Sequence, residues 1–186
     1  AMNMAQAWAK SPWPFKEDAM ELIEIVAADR NWAIDKDGDM CHHLPEDMAF
    51  FRRTTLGGVL LMGRKTLDSF PGGKPLPKRI NIVITHQKDF EREGCLVVHS
   101  VEEALSLAQT FAPKPMFVVG GGTIYRQMLP FCTKAYITKI DTTFEAPDTF
   151  IDNLDALASW RVIEESAPME QNGLSFRFVT YERGSQ

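Results

Sequence analysis

From residue 21 onward the chain alternates short apolar runs with amphipathic stretches. The run at 22–28, LIEIVAA, reads as a buried strand. Continuous apolar segments at 58–63 (GVLLMG), 80–85 (INIVIT) and 95–98 (CLVV) predict three more. Their lack of polar alternation matches parallel strands covered on both faces. MFVVGGG at 116–122 predicts a strand running into glycines, and AYITKI at 135–140 predicts another. Between these lie helical signals. Pro45 opens a helix that carries Glu46 and Asp47 in its first turn. Ser100 with Glu103 forms a capping box for a helix reaching Phe111, and a short helix follows Gly122 and ends near Pro130.

The stretch 141–150 reads as loop, whereas 161–183 holds two alternating segments around Asn172-Gly173, an antiparallel hairpin signal. Strands alternating with helices imply an α/β fold. Its central sheet is mostly parallel with helices on both faces, and an antiparallel C-terminal hairpin closes one edge. No repeat or linker divides 21–184, which reads as one domain, and 186 residues suffice to bury a sizeable core. Residues 1–20, with Ser11-Pro12 and Trp13-Pro14 breaks and no sustained period, read as a flexible extension.

Composition narrows the function. A net charge of −5 argues against bulk attraction to nucleic acid or anionic membrane, so an anionic ligand must meet a local basic cluster. No apolar run approaches the roughly 18 residues of a membrane span. Cys41, Cys95 and Cys132 are odd in number and far apart, neither a disulfide framework nor a zinc spacing, which points to a reducing cytoplasm.

In open α/β sheets ligands gather at the carboxyl ends of strands, where GRKT (63–66), THQK (85–88) and GGGTIY (120–125) fall. The glycines permit close backbone approach to a phosphate, although a tight strand–helix turn also explains them, and Tyr125 stands where a dinucleotide fingerprint has glycine. Arg64 and Lys65 at a helix start oppose the helix dipole, a conflict that a bound anion removes. Thr85 and His86 offer further anion contacts. Asp47 is set apart from Glu46. Phe50 and Phe51, at i+3 and i+4, put it on the apolar face, where a carboxylate needs a partner such as an N–H-rich heterocycle. Cys41-His42-His43 reads as ordinary loop, since consecutive residues aim poorly at one metal ion.

Several of these stretches, in this order and spacing, resemble dihydrofolate reductase. They are IVAADRNWAI (25–34), LPEDMAFFRRTT (44–55), LMGRKTLDSF (61–70), PLPKRINIVIT (75–85), VVGGGTIYRQMLP (118–130) and YITKID (136–141), with Asp148-Thr149 following. The resemblance implies NADPH-dependent reduction of 7,8-dihydrofolate to tetrahydrofolate by a cytoplasmic monomer that antifolates inhibit. Asp47 matches the family's catalytic acid, which binds the pteridine 2-amino group and N3, and Thr138 its hydrogen-bond partner. Ile25, Val26, Ala27, Val119 and Tyr125 are implied to line the substrate pocket. Met48, Phe51, Phe70 and Leu76 sandwich the rings, and Arg79 pairs with the glutamate α-carboxylate. For the cofactor, Ala27, Ile34 and Met40 are implied near the nicotinamide. Arg64, Thr85 and His86 are implied at the 2′-phosphate. Gly63, Lys65, Thr66 and Gly120 through Tyr125 (Gly121, Gly122, Thr123 and Ile124 between them) meet the pyrophosphate and ribose. Residues 33–43 correspond to a mobile loop closing over the nicotinamide.

The chain departs from the family where Cys41-His42 replaces Pro-Trp and where Asp35 and Pro147 replace glycines. His42 either points to solvent or turns inward near Asp47. Two other functions share parts of this pattern: a same-fold pyrimidine reductase of riboflavin synthesis, whose ribityl phosphate leaves Asp47 with Arg79 unexplained, and a non-catalytic folate or NADPH binder.

Overall fold

The computed structural model describes residues 21–184, and the N-terminal extension read at 1–20 lies outside them. Strand β1 (Leu22–Ala28) is buried at six of its seven positions. It lies between two parallel partners, β7 (Met116–Gly120) and β8 (Lys134–Ile140). Beyond β7 come β4 (Val59–Gly63), β5 (Ile80–Ile84) and β6 (Cys95–Val98), all parallel. For β4, β5 and β7 continuous apolar composition follows from this central position, because both their faces are covered, whereas β6, expected from the sequence to be covered likewise, is the sheet edge and leaves Leu96 exposed.

One face packs Ile23, Ile25, Leu60, Met62, Val83 and Phe117 under helices α1 (Pro45–Thr55) and α2 (Arg64–Ser69). The other packs Leu22, Val59, Leu61, Ile82 and Val118 under α3 (Val101–Gln109) and α4 (Gly122–Met128). Helix α3 begins as its sequence requires: Ser100 Oγ accepts the Glu103 N–H at 3.0 Å. The Glu103 carboxylate returns the bond one residue earlier than in the standard box, on the N–H of His99 at 2.9 Å. Ala104, Leu105 and Ala108 then form its buried stripe.

Two regions differ from the sequence expectation. The segment before Asn172-Gly173 is two strands, β10 (Trp160–Glu165) and β11 (Met169–Gln171), which share the outer edge of β12 (Leu174–Arg183). Pro168, lacking an N–H, lies in the break between them. The turn itself is as expected, with Asn172 and Gly173 at φ 52° and 76°. Strand β12 is no edge: it pairs antiparallel with β8 along its length.

Residues 33–43, expected as a loop, contain a hairpin of β2 (Ala33–Lys36) and β3 (Asp39–Met40). Its two-residue turn, Asp37-Gly38, has φ 52° and 82°. This Asp-Gly turn signal stood in the sequence without being used. A second sheet results, because β9 (Thr149–Phe150) pairs with β2. The Asp148 carboxylate accepts the Asp37 N–H at 2.7 Å and fastens the hairpin to the sheet edge.

Glu24 breaks the apolar run of β1 and is 2% exposed, with its Oε2 lacking a hydrogen-bond partner among the described residues. Burial, then Asp152, pushes its carboxyl up to about 8. A folded-state value above the ordinary 4.5 means that the fold binds the proton more tightly than the open chain does. The fold is therefore favoured at low pH and loses stability as pH rises from 4.5 to about 8. Over that window the loss is on the order of 5 kcal/mol. In urea unfolding at pH 8, Glu24→Gln is expected to be more stable than wild type by several kcal/mol, with the gain vanishing near pH 4. A difference independent of pH would show that the carboxyl does not carry this linkage.

Candidate active site

The carboxyl ends of β1, β4, β5 and β7 open into a single long cleft of about 2180 Å³. A single small-molecule site takes roughly 300–1,000 Å³, so two ligands fit side by side.

At one end stands Asp47. Pro45 sets the start of α1, and Leu44 at the cap supplies no side-chain acceptor, leaving Glu46 and Asp47 in the first turn. The exposed Glu46 donates its backbone N–H to Gln171 Oε1 at 2.9 Å. Asp47 instead faces the sheet with its side chain 16% exposed. Thr138 Oγ1 donates to its Oδ1 at 2.6 Å, and His42 Nε2 lies 3.1 Å from its Oδ2. One turn on, Phe50 stacks on Phe178 with ring centroids 4.4 Å apart. Thr138 and Phe178 are direct cross-strand neighbours of β8 and β12. The i, i+3 pair on the helix therefore lands on one cross-strand pair of the sheet, carboxylate on hydroxyl and ring on ring. Ile25, Val26, Ala27, Met48, Phe51, Phe70, Leu76 and Val119 give this end apolar walls. Leu76 is held there by Asn81, whose Oδ1 and Nδ2 bond its backbone N–H and C=O at 3.1 and 2.9 Å.

The far end is cationic and hydroxylic. Arg64, Lys65 and Thr66 begin α2 with no acidic residue in its first turn, and Thr85 and His86 follow β5. Arg64 has one weak partner, Asp68, at 3.7 Å. Between the ends runs the glycine turn. Gly120 has φ 123°, and a Cβ there would sit 3.1 Å from Thr66 Oγ1. At Gly122 a Cβ would sit 2.5 Å from the Thr149 methyl of β9. Tyr125 closes the floor, its hydroxyl donating to the Ile25 carbonyl at 2.9 Å. Burial, reinforced by Glu24, Asp35 and Asp47, holds that phenol well above its ordinary value, so it stays a donor. Ile34, Met40, Gly63, Gly121, Thr123 and Ile124 complete the border.

Of the residues read from the sequence, only Arg79 is not on this border. Its guanidinium is used internally, donating to Thr55 Oγ1 at 2.8 Å, to the Pro77 carbonyl at 2.7 Å and to the Arg52 carbonyl at 2.6 Å. Burial and the neighbouring Arg52 charge both pull it below its ordinary value. The cleft also takes in residues absent from that reading. Phe50 had been placed on the inner helix face by its spacing from Asp47 without being read as a site residue, whereas Arg52, Ser100 to Glu102 and Asp148-Thr149 arrive by tertiary packing. Among the described residues no helix is long and apolar enough to cross a membrane.

The sequence profile described as dihydrofolate reductase matches residues 21–183. The chain belongs to the dihydrofolate reductase family. It is 38% identical over 161 residues to the dihydrofolate reductase of Bacillus subtilis (strain 168), covering 86% of this chain and 92% of that protein. It is 40% identical over 166 residues to that of Haemophilus influenzae, covering 88% and 99%. Among solved structures it resembles the Enterococcus faecalis dihydrofolate reductase complexed with NADP(H) and RAB-propyl, with TM-score 0.78, 34% identity and coverage of 88% and 96%.

The departures from the family pattern cluster around Asp47 and the small sheet. Cys41 is half-buried, His42 buried and His43 exposed, so the three side chains part company. Asp35 lies in β2, where burial and Asp148 raise its carboxyl above the ordinary range. The close approach at Gly122 ties this sheet to the family's glycine turn. Gly122→Ala is expected to destabilise the protein by roughly 1–3 kcal/mol in urea unfolding. Adding Thr149→Ser, which deletes the offending methyl, should recover most of that loss. An additive double mutant would show that the two residues do not compete for the same space.

Proposed function

We propose that the protein reduces 7,8-dihydrofolate to 5,6,7,8-tetrahydrofolate with NADPH, taking hydride at C6 and a proton at N5. The observation that carries this reading is the Asp47 carboxylate, held by Thr138 inside apolar walls at one end of a cleft whose other end is cationic. A carboxylate so placed suits the 2-amino group and N3 of a pterin, two N–H donors on one edge of a flat ring.

NADPH suits the rest of the cleft. Its pyrophosphate would lie against the backbone of the glycine turn, where Thr66 and Thr149 leave no room for side chains at Gly120 and Gly122, and Arg64, Thr85 and His86 would favour a 2′-phosphate. When bound, NADPH supplies the hydride. The chain's residues bind and orient. Ala27, Ile34 and Met40 would hold the nicotinamide, Tyr125 supports the β1 backbone, and Met48, Phe51, Phe70 and Leu76 would hold the rings of dihydrofolate and exclude water. Asp47 grips the far edge of the pterin and is too distant to touch N5, so the proton reaches N5 through water or through tautomerisation of the ring. Arg79 and Arg52 have no acidic partner among the described residues, and the N–H groups left over after Arg79's internal bonds take the glutamate α-carboxylate. We further infer a cytoplasmic monomer, in keeping with three free cysteines.

The test is the fall in absorbance at 340 nm when NADPH and dihydrofolate are present together but not separately. Asp47→Asn should lower kcat near neutral pH by at least about 100-fold, the scale of a general acid–base contribution, while NADPH binding stays within a factor of two to three of wild type. Tight binding of dihydrofolate without turnover in the wild type would instead favour a non-catalytic folate binder. Wild-type turnover in Asp47→Asn would leave the acid only its helix-dipole role.

A further inference from the structure

We propose that His42 is a positioning residue for Asp47: its Nε2–H donates to Oδ2 of the carboxylate and, opposite Thr138 on Oδ1, fixes the acid's rotation. This rests on Asp47 being the acid that binds the pterin. The His42 side chain is 3% exposed, and its Nε2 lies 3.1 Å from Asp47 Oδ2. The ring lies parallel to Phe144, with centroids 6.3 Å apart and planes 8° apart. Phe144 is itself pinned, since its backbone N–H donates at 2.9 Å to Asp29, a buried carboxylate that also takes the N–H groups of Asn31 and Ala33. The imidazole therefore has a fixed wall on one face and the carboxylate at one edge.

Its other nitrogen decides the tautomer. Nδ1 is buried and has no hydrogen-bond partner among the described residues. A proton there would leave a buried donor without an acceptor and would turn a bare Nε2 lone pair toward the carboxylate oxygen 3.1 Å away, two acceptors face to face. The single proton of the neutral ring thus sits on Nε2, facing Asp47. The charged groups around His42 are Asp47 from α1 and Asp35 from β2, the latter feeling the imidazole electrostatically. β8 contributes Thr138 at the carboxylate, and among the described residues no Lys or Arg forms an ion pair with Asp47. Both oxygens of Asp47 thus receive one protein donor each and keep lone pairs for the ring they recognise.

Two measurements test this. In the free protein with ¹⁵N-labelled histidine, long-range ¹H–¹⁵N spectra at pH 8 should show one ring protonated on Nε2 and bare at Nδ1, its signal identified by its absence in His42→Phe. In single-turnover hydride transfer from NADPH to dihydrofolate across about pH 5 to 9, His42→Phe should move the limb reporting the acid upward by about one to two pH units, as loss of a hydrogen bond to a charged acceptor requires. His42→Gln, which restores an N–H donor, should recover at least half of that displacement. An Nδ1-protonated ring, superimposable wild-type and Phe profiles, or a Gln profile identical to that of Phe would each overturn the proposal. The spectra need no turnover. A wild type that binds dihydrofolate without reducing it therefore contradicts the functional reading and leaves the tautomer result to decide this one.

Discussion

The hydrogen bond from Thr138 to Asp47 joins residues 91 positions apart, and the site is organised around it. It fixes the first turn of α1 against the centre of the sheet, at a point where β8 is flanked by β1 and β12. A carboxylate in an apolar wall is costly unless it is hydrogen-bonded, and a hydroxyl 2.6 Å away meets that requirement at about 1.5–3 kcal/mol for a charged acceptor. Phe50 on Phe178 adds an apolar contact beside it. The same helix turn thus docks and carries the functional group, which couples stability of the docking to geometry of the site.

The cleft separates two electrostatic tasks along its length. The Asp47 end is apolar with one carboxylate, whereas the Arg64 end is cationic and has only a partial counter-charge in Asp68, which it shares with Arg92. This local arrangement is how a chain of net charge −5 accommodates a polyanionic cofactor. The glycine turn between the two ends works by omission. Thr66 and Thr149 already occupy the room that a side chain at Gly120 or Gly122 would need, so only backbone faces the groove.

Much of this was legible in the residues. Long apolar runs announced β1, β4, β5 and β7, and the spacing of Phe50 and Phe51 marked Asp47 as turned inward while Glu46 stayed outside. The small sheet was not read, although Asp37-Gly38 carries a hairpin signature, because β3 is only two residues long and β9, which pairs with the other side of β2, lies over a hundred residues away. The division of β10 from β11 escaped for a different reason. No turn signal separates them, and Pro168, which marks the break between the two strands, also fits within the single segment expected there. Arg79's internal hydrogen bonds depend on backbone carbonyls of Arg52 and Pro77, and no side-chain pattern encodes those. For His42 the sequence left two orientations open, and the wall built by Phe144 and Asp29 selects the inward one.

The Asp47 carboxylate is proposed to recognise the N–H edge of a flat heterocycle. Ultraviolet difference spectroscopy of a bound 2,4-diaminopyrimidine tests it most directly, because the ring's spectrum reports whether it is protonated. A protonated ring is expected on the wild-type protein at pH 8, even where the free compound is largely neutral, and a neutral, more weakly bound ring on Asp47→Asn. A neutral ring on the wild type, or equal affinity in the two proteins, would contradict it.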